Sequence, residues 1–411
     1  MVDRYAFLNV RDKEWTEIVE KIEETEKRWG APFYLFNEKM IIRNIERLRE
    51  CLGGDVSIAY SMKANPWLAS AAAVTADYIE ACAEGELELC RTYGISGKKI
   101  VLDGVLRRDG TVEKALAMGV KRFCIDSAVQ AKQLAELCKE REVEILLRLS
   151  SGNRFGMDED EVKYCIHICR DSAAVRIAGV QYYPGTQRGE TGRITRELER
   201  LEQWMKWLES FPGLSISELQ FGSGIGFPYF TCDEKETYTE TVDAVAGFVK
   251  NFQKRYRVIY EAGRCISAAA GIYVTKVFQT KLRKDGKIAF CLGGTNHLQY
   301  PGGMLGIREP YIESVCSIPL GREKKCMVCG SLCNEADILL YGGMLDEGLQ
   351  EGDILIFYGA GAYSATGTPN LFLTMEMPSV LVYNKTSSVY SQNIRCVRGH
   401  TSTYRILDDR M

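Results

Sequence analysis

The chain has 411 residues, 46% of them hydrophobic and 26% charged, with a formal net charge of -3. That length suits a barrel plus a smaller domain, and the slightly negative charge excludes nucleic acid as the main partner, since phosphate binding needs a basic surface. The 15 cysteines are scattered and often sit in apolar runs, as at Cys124, Cys165 and Cys291, which excludes a disulfide scaffold and fits buried thiols in a reducing compartment.

The opening MVDRYAFLNVRDKEW has no apolar segment of the secretory type. No run of about 18 apolar residues follows, so no membrane span is expected and the expected location is cytoplasmic. A short strand-like run, Pro32–Phe36, comes first. From residue 38 to 264 eight apolar runs then alternate with charged, helix-periodic stretches. The runs are Val56–Met62, Asp77–Ala83, Lys99–Asp103, Arg122–Ser127, Val143–Ser150, Ile177–Tyr183, Ile216–Gly222 and Val258–Gly263. They are continuous rather than alternating, as expected of parallel strands buried on both faces. Helical stretches include Ala128–Glu140, Glu159–Asp171 and Ile194–Phe211. A repeat of roughly 26 residues matches a βα unit. Eight such units predict an α/β fold, a closed (β/α)8 TIM-like barrel over 38–264, with a doubly wound open sheet as the competing architecture.

After residue 265 helical periodicity fades. Ile272–Gln279, Ile288–Leu292, Lys325–Val328, Asp353–Tyr358 and Leu371–Glu376 read as strands, punctuated by Gly and Pro. This predicts a β-rich second domain over 265–411, with residues 1–37 contributing to it.

Functional groups of such a barrel lie at the C-terminal ends of its strands. Lys63, in Tyr60-Ser61-Met62-Lys63-Ala64-Asn65, directly follows the first barrel strand. Burial there would lower its pKa and make it an amine nucleophile; taken alone, it could equally reach solvent at the rim. Phe221-Gly222-Ser223-Gly224-Ile225-Gly226 follows the seventh strand. Bare backbone N–H groups in such a turn suit a phosphate, although a simple tight turn has the same composition and the segment lacks the Lys-Ser/Thr of a P-loop. Tyr260-Glu261-Ala262-Gly263-Arg264 ends the eighth strand and places Glu261 at the barrel mouth, with a structural ion pair to Arg264 as the plain alternative. The β-rich part contributes Gly330-Ser331-Leu332-Cys333-Asn334-Glu335-Ala336-Asp337 and Gly359-Ala360-Gly361-Ala362-Tyr363. Cys326, Cys329 and Cys333 lack a fourth ligand at zinc spacing, so no metal is expected.

In order, YSMKAN, ACAEGE (81–86), IDS (125–127), RFGM (154–157), GVQYYPGTQ (179–187), FGSGIG, YEAGR, CGSLCNEAD and GAGAY resemble the fold-type III pyridoxal-phosphate decarboxylases, the diaminopimelate and ornithine decarboxylase family. The resemblance spans about residues 32–375 and implies an alanine racemase-like N-terminal barrel, a C-terminal β domain and a homodimer with shared active sites. It implies that pyridoxal 5'-phosphate is the cofactor and Lys63 its Schiff-base lysine. Gly222, Ser223, Gly224 and Gly226 would form the phosphate loop, joined by Gly263, Arg264 and Tyr363. Glu261 would bond the pyridine nitrogen, and Glu80 stands where the family often has an acidic group. Cys333 and Asp337 would come from the partner subunit, the thiol to protonate and the carboxylate to recognise substrate. Arg154 stands beside Phe-Gly, where the family has a basic residue for substrate.

Three positions depart from the pattern. Tyr183 replaces the histidine that stacks on the cofactor ring, and an aromatic face can still stack. Tyr183-Pro184-Gly185-Thr186 replaces the usual His-x-Gly-Ser and resembles the natural-product branch that decarboxylates carrier-protein-linked glutamate in butirosin biosynthesis. Tyr300-Pro301 replaces the Arg-Pro that binds substrate carboxylate in diaminopimelate decarboxylases, with Arg308 as a candidate substitute. The function implied is decarboxylation of an amino acid, free or carrier-linked, with the cofactor as electron sink, Glu261 keeping its ring protonated and Cys333 as proton donor. Racemisation or epimerisation is the alternative chemistry, although alanine racemases place an arginine at the ring nitrogen. A non-catalytic homologue is the other alternative, and retention of both Lys63 and Cys333 speaks against it.

Overall fold

The computed structural model describes residues 3–105, 108–138, 142–284, 286–301 and 305–401. Strand β1 (Phe33–Asn37) is the run FYLFN, buried at every position. The eight apolar runs each overlap a strand: β2 (Ser57–Ser61), β3 (Tyr78–Ala81), β4 (Ile100–Leu102), β5 (Arg122–Ile125), β6 (Val143–Leu149), β7 (Val175–Tyr182), β8 (Glu218–Phe221) and β9 (Arg257–Ala262). They pair in sequence order, all parallel, and β2 pairs β9, which closes the barrel. Closure disposes of the open doubly wound sheet. The interior packs as a solid core in which Ala59, Tyr78, Val101, Leu146 and Ile259 from five strands form one buried cluster.

Helices return the chain between strands. Side-chain caps mark two starts: Ser127 accepts from Gln130 N before Ala128–Leu137, and Asp158 accepts from Glu161 N before Glu159–Arg170. Of the helix read over Ala128–Glu140, the last two positions lie outside the described residues. At the N-terminal end of the barrel Arg122 is nearly buried between Glu144, at 2.7 Å, and Glu218.

The chain divides into two compact units. The first is Met1–Tyr5, Ile42–Gly226 and Lys235–Cys265; the second is Ala6–Ile41, Phe227–Glu234 and Ile266–Met411. The second unit holds β10 (Gly271–Arg283), β11 (Gly286–Cys291), β12 (Ile312–Val315), β13 (Glu323–Cys329), β14 (Ile338–Asp346), β15 (Ile354–Tyr358), β16 (Ser379–Tyr383) and β17 (Ile394–Arg398). Their sheet runs β14-β13-β11-β10-β1-β16-β17, with β15 paired to β10 and β12 to β15. Strand β1 sits between antiparallel β10 and parallel β16.

Leu371–Glu376 is not a strand. Leu373 and Thr374 take left-handed φ of 54° and 56° in a single 3-10 turn, and Leu371, Phe372 and Leu373 are exposed. Apolar composition there lacks a sheet partner. The Gly359-Ala360-Gly361 segment is explained by crossing backbones, because a Cβ on Gly361 would lie 2.0 Å from the Ser267 carbonyl oxygen.

Candidate active site

Lys63 sits in the single turn Met62–Ala64 that follows β2. Its Nζ lies 2.7 Å from Glu80 Oε1 on neighbouring β3, 3.6 Å from Cys82 Sγ and 5.8 Å from the Tyr183 ring centroid. Glu80 is buried and also accepts from Ser61 Oγ. The expectation that burial lowers the Lys63 pKa is corrected here. Burial does push it down, but the charges of Glu80, Cys82 and Asp103 outweigh that and hold it well above its ordinary value. Burial likewise pushes Glu80 up, and the Lys63 ammonium overrides this and draws it down. The one acid and thiol cluster with metal-ligand spacing among the described residues is Glu80, Cys82 and Asp103, and the Lys63 ammonium stands in it.

Glu261 ends β9 and is buried. Gln181 Nε2 donates to both of its oxygens at 2.9 and 3.0 Å, and Gln220 Nε2 donates to Oε1 at 2.6 Å. Burial first, then the charges of Glu80 and Asp103, push the Glu261 acid up to about 8, against the Gln220 hydrogen bond.

Gly222 lies between Tyr183 and Glu261: a Cβ there would meet Tyr183 Cδ2 at 2.9 Å and Glu261 O at 3.0 Å. Gly224 has φ +70° and would drive a Cβ to 1.8 Å from Gly185 O, so only glycine lets the two loops meet. Their contact is a backbone pair, Arg188 N to Gly224 O and Gly226 N to Arg188 O. Gly226 faces the Tyr238 ring in the same way, and a Cβ on Gly263 would press on Ala64 and Ser61. The Ser223 hydroxyl is hydrogen-bonded to Tyr260 OH at 2.7 Å. Arg264 Nε donates to Thr186 Oγ1 at 3.1 Å, which puts a cation beside the same loops.

Arg154 is exposed, with its guanidinium over the Phe155 ring at 4.9 Å. The substrate role expected for it finds no geometric support. Arg148 on β6 is the buried cation, 3.3 Å from Asp126 and 3.8 Å from Asp103.

Four candidates belong to the second unit. Cys333 is a free, exposed thiol. Asp337 is buried and accepts from Thr295 N at 2.7 Å, Thr295 Oγ1 at 3.0 Å and Leu332 N at 2.8 Å. Gly294 and Gly330 press on it so closely that either Cβ would lie 2.2 Å from its oxygens. In this chain the Asp337 carboxylate fastens its own loop, and Cys333, Asn334 and Glu335 are the exposed side of that turn. Arg308 is ion-paired with Asp233, donates to Cys232 Sγ and lies over the Phe230 ring at 4.4 Å. Its substrate role is likewise unsupported. Tyr363 takes a left-handed φ of 64°. Tyr300 is buried against Tyr229 and Phe230 and donates to Tyr358 O, so it replaces an arginine by a core residue.

Lys63, Glu80, Tyr183, Gly222 and Glu261 thus meet at one barrel mouth, with Gly224, Gly226 and Arg264 on adjoining loops. Sequence reasoning missed Gln181, Gln220, Arg148 and Cys82. The signal was there in part: Gln181 and Gln220 interrupt apolar strands and face each other in register across β7 and β8. The donor set fits pyridoxal phosphate, with an amine for an aldehyde, an aromatic face for a ring, a buried acid for a ring nitrogen, and a cation with a glycine turn for a phosphate.

Comparison with known proteins agrees with this chemistry. Residues 38–268, over half of the chain, match the family model described as pyridoxal-dependent decarboxylase, pyridoxal binding domain. Diaminopimelate decarboxylase of Methanocaldococcus jannaschii is 23% identical over 402 residues, covering 87% of this chain and 90% of its own length. The L-glutamyl-(BtrI acyl-carrier protein) decarboxylase of Niallia circulans is 24% identical over 388 residues, covering 86% and 88%. Among solved structures, diaminopimelate decarboxylase from M. jannaschii superposes with a TM-score of 0.81 at 21% identity, over 94% of this chain and 93% of the other. The lysine/ornithine decarboxylase from Vibrio vulnificus, complexed with cadaverine, superposes at 0.75 and 20%, over 90% and 99%. At these identities the superpositions establish the fold.

Proposed function

Because the chain belongs to the pyridoxal-dependent decarboxylase family, and so is a pyridoxal-phosphate-dependent carboxy-lyase, we propose that it removes the α-carboxyl group of an amino acid or amino-acid derivative at the Lys63–Glu261 site. The observation that carries this reading is the juxtaposition of the Lys63 amine, the Tyr183 face and the buried Glu261 acid at one barrel mouth.

Bound there, pyridoxal phosphate supplies an electron sink for the bond broken at Cα. Lys63 holds its aldehyde end. Glu80, 2.7 Å away, orients Lys63 toward the aldehyde and holds it as the ammonium in the cofactor-free site. Glu261 would hold a proton at the ring nitrogen, and a protonated ring withdraws electrons more strongly. The Gly222–Gly226 turn, Gly263 and Arg264 would hold the phosphate. The enzyme works as a homodimer, and the exposed Cys333 of one copy supplies the proton to the Cα carbanion in the other. The free cysteines suit a reducing compartment such as the cytoplasm.

The substrate is an amino acid other than diaminopimelate. With Tyr300 in the core and Arg308 spent on Asp233, the candidates for gripping a second carboxylate are otherwise engaged. The similarity to the Niallia circulans enzyme supports a carrier-linked amino acid in natural-product biosynthesis. The test is carbon dioxide release from a panel of free and carrier-linked amino acids. Decarboxylation of at least one supports the reading, and racemisation without gas contradicts it.

A further inference from the structure

Two primary amides and one carboxylate form an unusual group inside the first unit. Gln181 and Gln220 face each other across β7 and β8, and both are buried, at 1% and 0% exposure. Their Nε2 atoms make three donations to Glu261, at 2.6 to 3.0 Å. Their Oε1 atoms are both buried without a hydrogen-bond partner. Leaving two amide oxygens unmet is costly, and the cost is tolerable only if something else in the site recovers it. A carboxylate with two amide neighbours offers that. Ionised, it accepts from both Nε2 atoms. Protonated, it presents an O–H, and a half-turn of either amide about its last bond brings an Oε1 to receive it.

We propose that Gln181 and Gln220 form an amide clamp that fits Glu261 in both of its charge states, so that this acid can pass a proton to a basic ring nitrogen and hold it there. The proposal rests on the reading of Glu261 as the ring-nitrogen partner. The two glutamines are positioning residues, acting only through Glu261. Other charged or titratable groups bear on the same acid: Lys63 after β2, Glu80 on β3 and Asp103 after β4, with Arg148 on β6 and Tyr183 after β7. The acids raise its pKa and Lys63 lowers it. The amides are the neutral partners that touch it.

The test uses cofactor-free protein, so that it does not depend on turnover. The carbonyl stretch of protonated Glu261, identified by its loss in Glu261→Gln, is followed by infrared difference spectroscopy from pH 5 to 10. Gln181→Met and Gln220→Met keep the side-chain shape and delete the donors. Each is expected to move the Glu261 midpoint upward by about one to two pH units, through the loss of the charge-assisted donations it makes, two from Gln181 and one from Gln220. In wild-type protein selectively labelled at glutamine, the side-chain amide NMR signals of Gln181 and Gln220 are expected to move with the Glu261 midpoint; this measurement needs no variant to fold. A midpoint unchanged or lowered in folded variants, or amide signals indifferent to Glu261, overturns the clamp. Equilibrium dialysis with pyridoxal phosphate separates the two readings. Failure of wild type to bind it sinks the functional assignment and leaves the titration to judge the clamp alone.

Discussion

Glu261 and Glu80 lie in one barrel mouth yet respond to pH in opposite senses. Glu261 is raised by burial and neighbouring acids from an ordinary carboxylate value to about 8. The folded chain therefore keeps a proton that the unfolded chain releases near 4.5. Cofactor-free protein is expected to lose stability as pH rises from 4.5 to 8, and Glu261→Gln to abolish that decline. Urea denaturation of both proteins at pH 5 and 8.5 checks this; parallel pH dependence would count against it. Glu80 is held low by Lys63 against its own burial, so its contribution is complete above about 4.5 and fades in acid. Within the second unit, Asp337→Ala removes the acceptor for three donors around Thr295 and Leu332. A loss of about 2–4 kcal/mol is expected from those orphaned groups, measured as a fall in the denaturation midpoint.

At the level of the element, barrel strands were legible because parallel strands buried on both faces read as unbroken apolar runs. All eight runs overlap strands, down to the three residues of β4. Lys63, the glycine turn and Glu261 were legible for the same reason: each ends one of those runs. The second unit was harder. Strand β14 reads ILLYGGMLD, with two glycines and mixed burial, and β12 is only four residues long; neither carries a clear period. Leu371–Glu376 deceived because apolar composition says nothing about φ. The bonds that Asp337 accepts within its own loop were not legible, because a motif does not show which way a carboxylate faces. The buried Arg122 between β5 and its neighbours offers an energetic test at this scale. Arg122→Met removes the buried cation shared by Glu218 and Glu144 at the floor of the barrel and leaves them only the more exposed Arg257 and Arg176. It is expected to cost about 1–3 kcal/mol, the loss of charge-assisted hydrogen bonds, read from chemical denaturation, while leaving the chemistry at the opposite strand ends intact.

Across the whole molecule, the two units contribute different parts of the proposed reaction: the amine, acid and glycine turn come from the barrel, and the exposed thiol Cys333 from the β-rich unit. A shared site in a homodimer makes a specific prediction. Lys63→Ala and Cys333→Ala homodimers each lack one part of every site, but a mixed dimer assembles one intact site. Co-expression of the two inactive variants is therefore expected to restore about a quarter of wild-type activity by random pairing. Carbon dioxide release from the substrate identified by the panel measures it, and no recovery in a demonstrably mixed dimer would place both groups in one copy.

The central claim is covalent attachment of pyridoxal phosphate at one lysine. Borohydride reduction of the loaded protein, followed by peptide mass spectrometry, measures it directly. A single reduced pyridoxyl adduct on Lys63, absent from Lys63→Ala, is expected; an adduct on another lysine, or none from protein that has bound the cofactor, overturns the assignment.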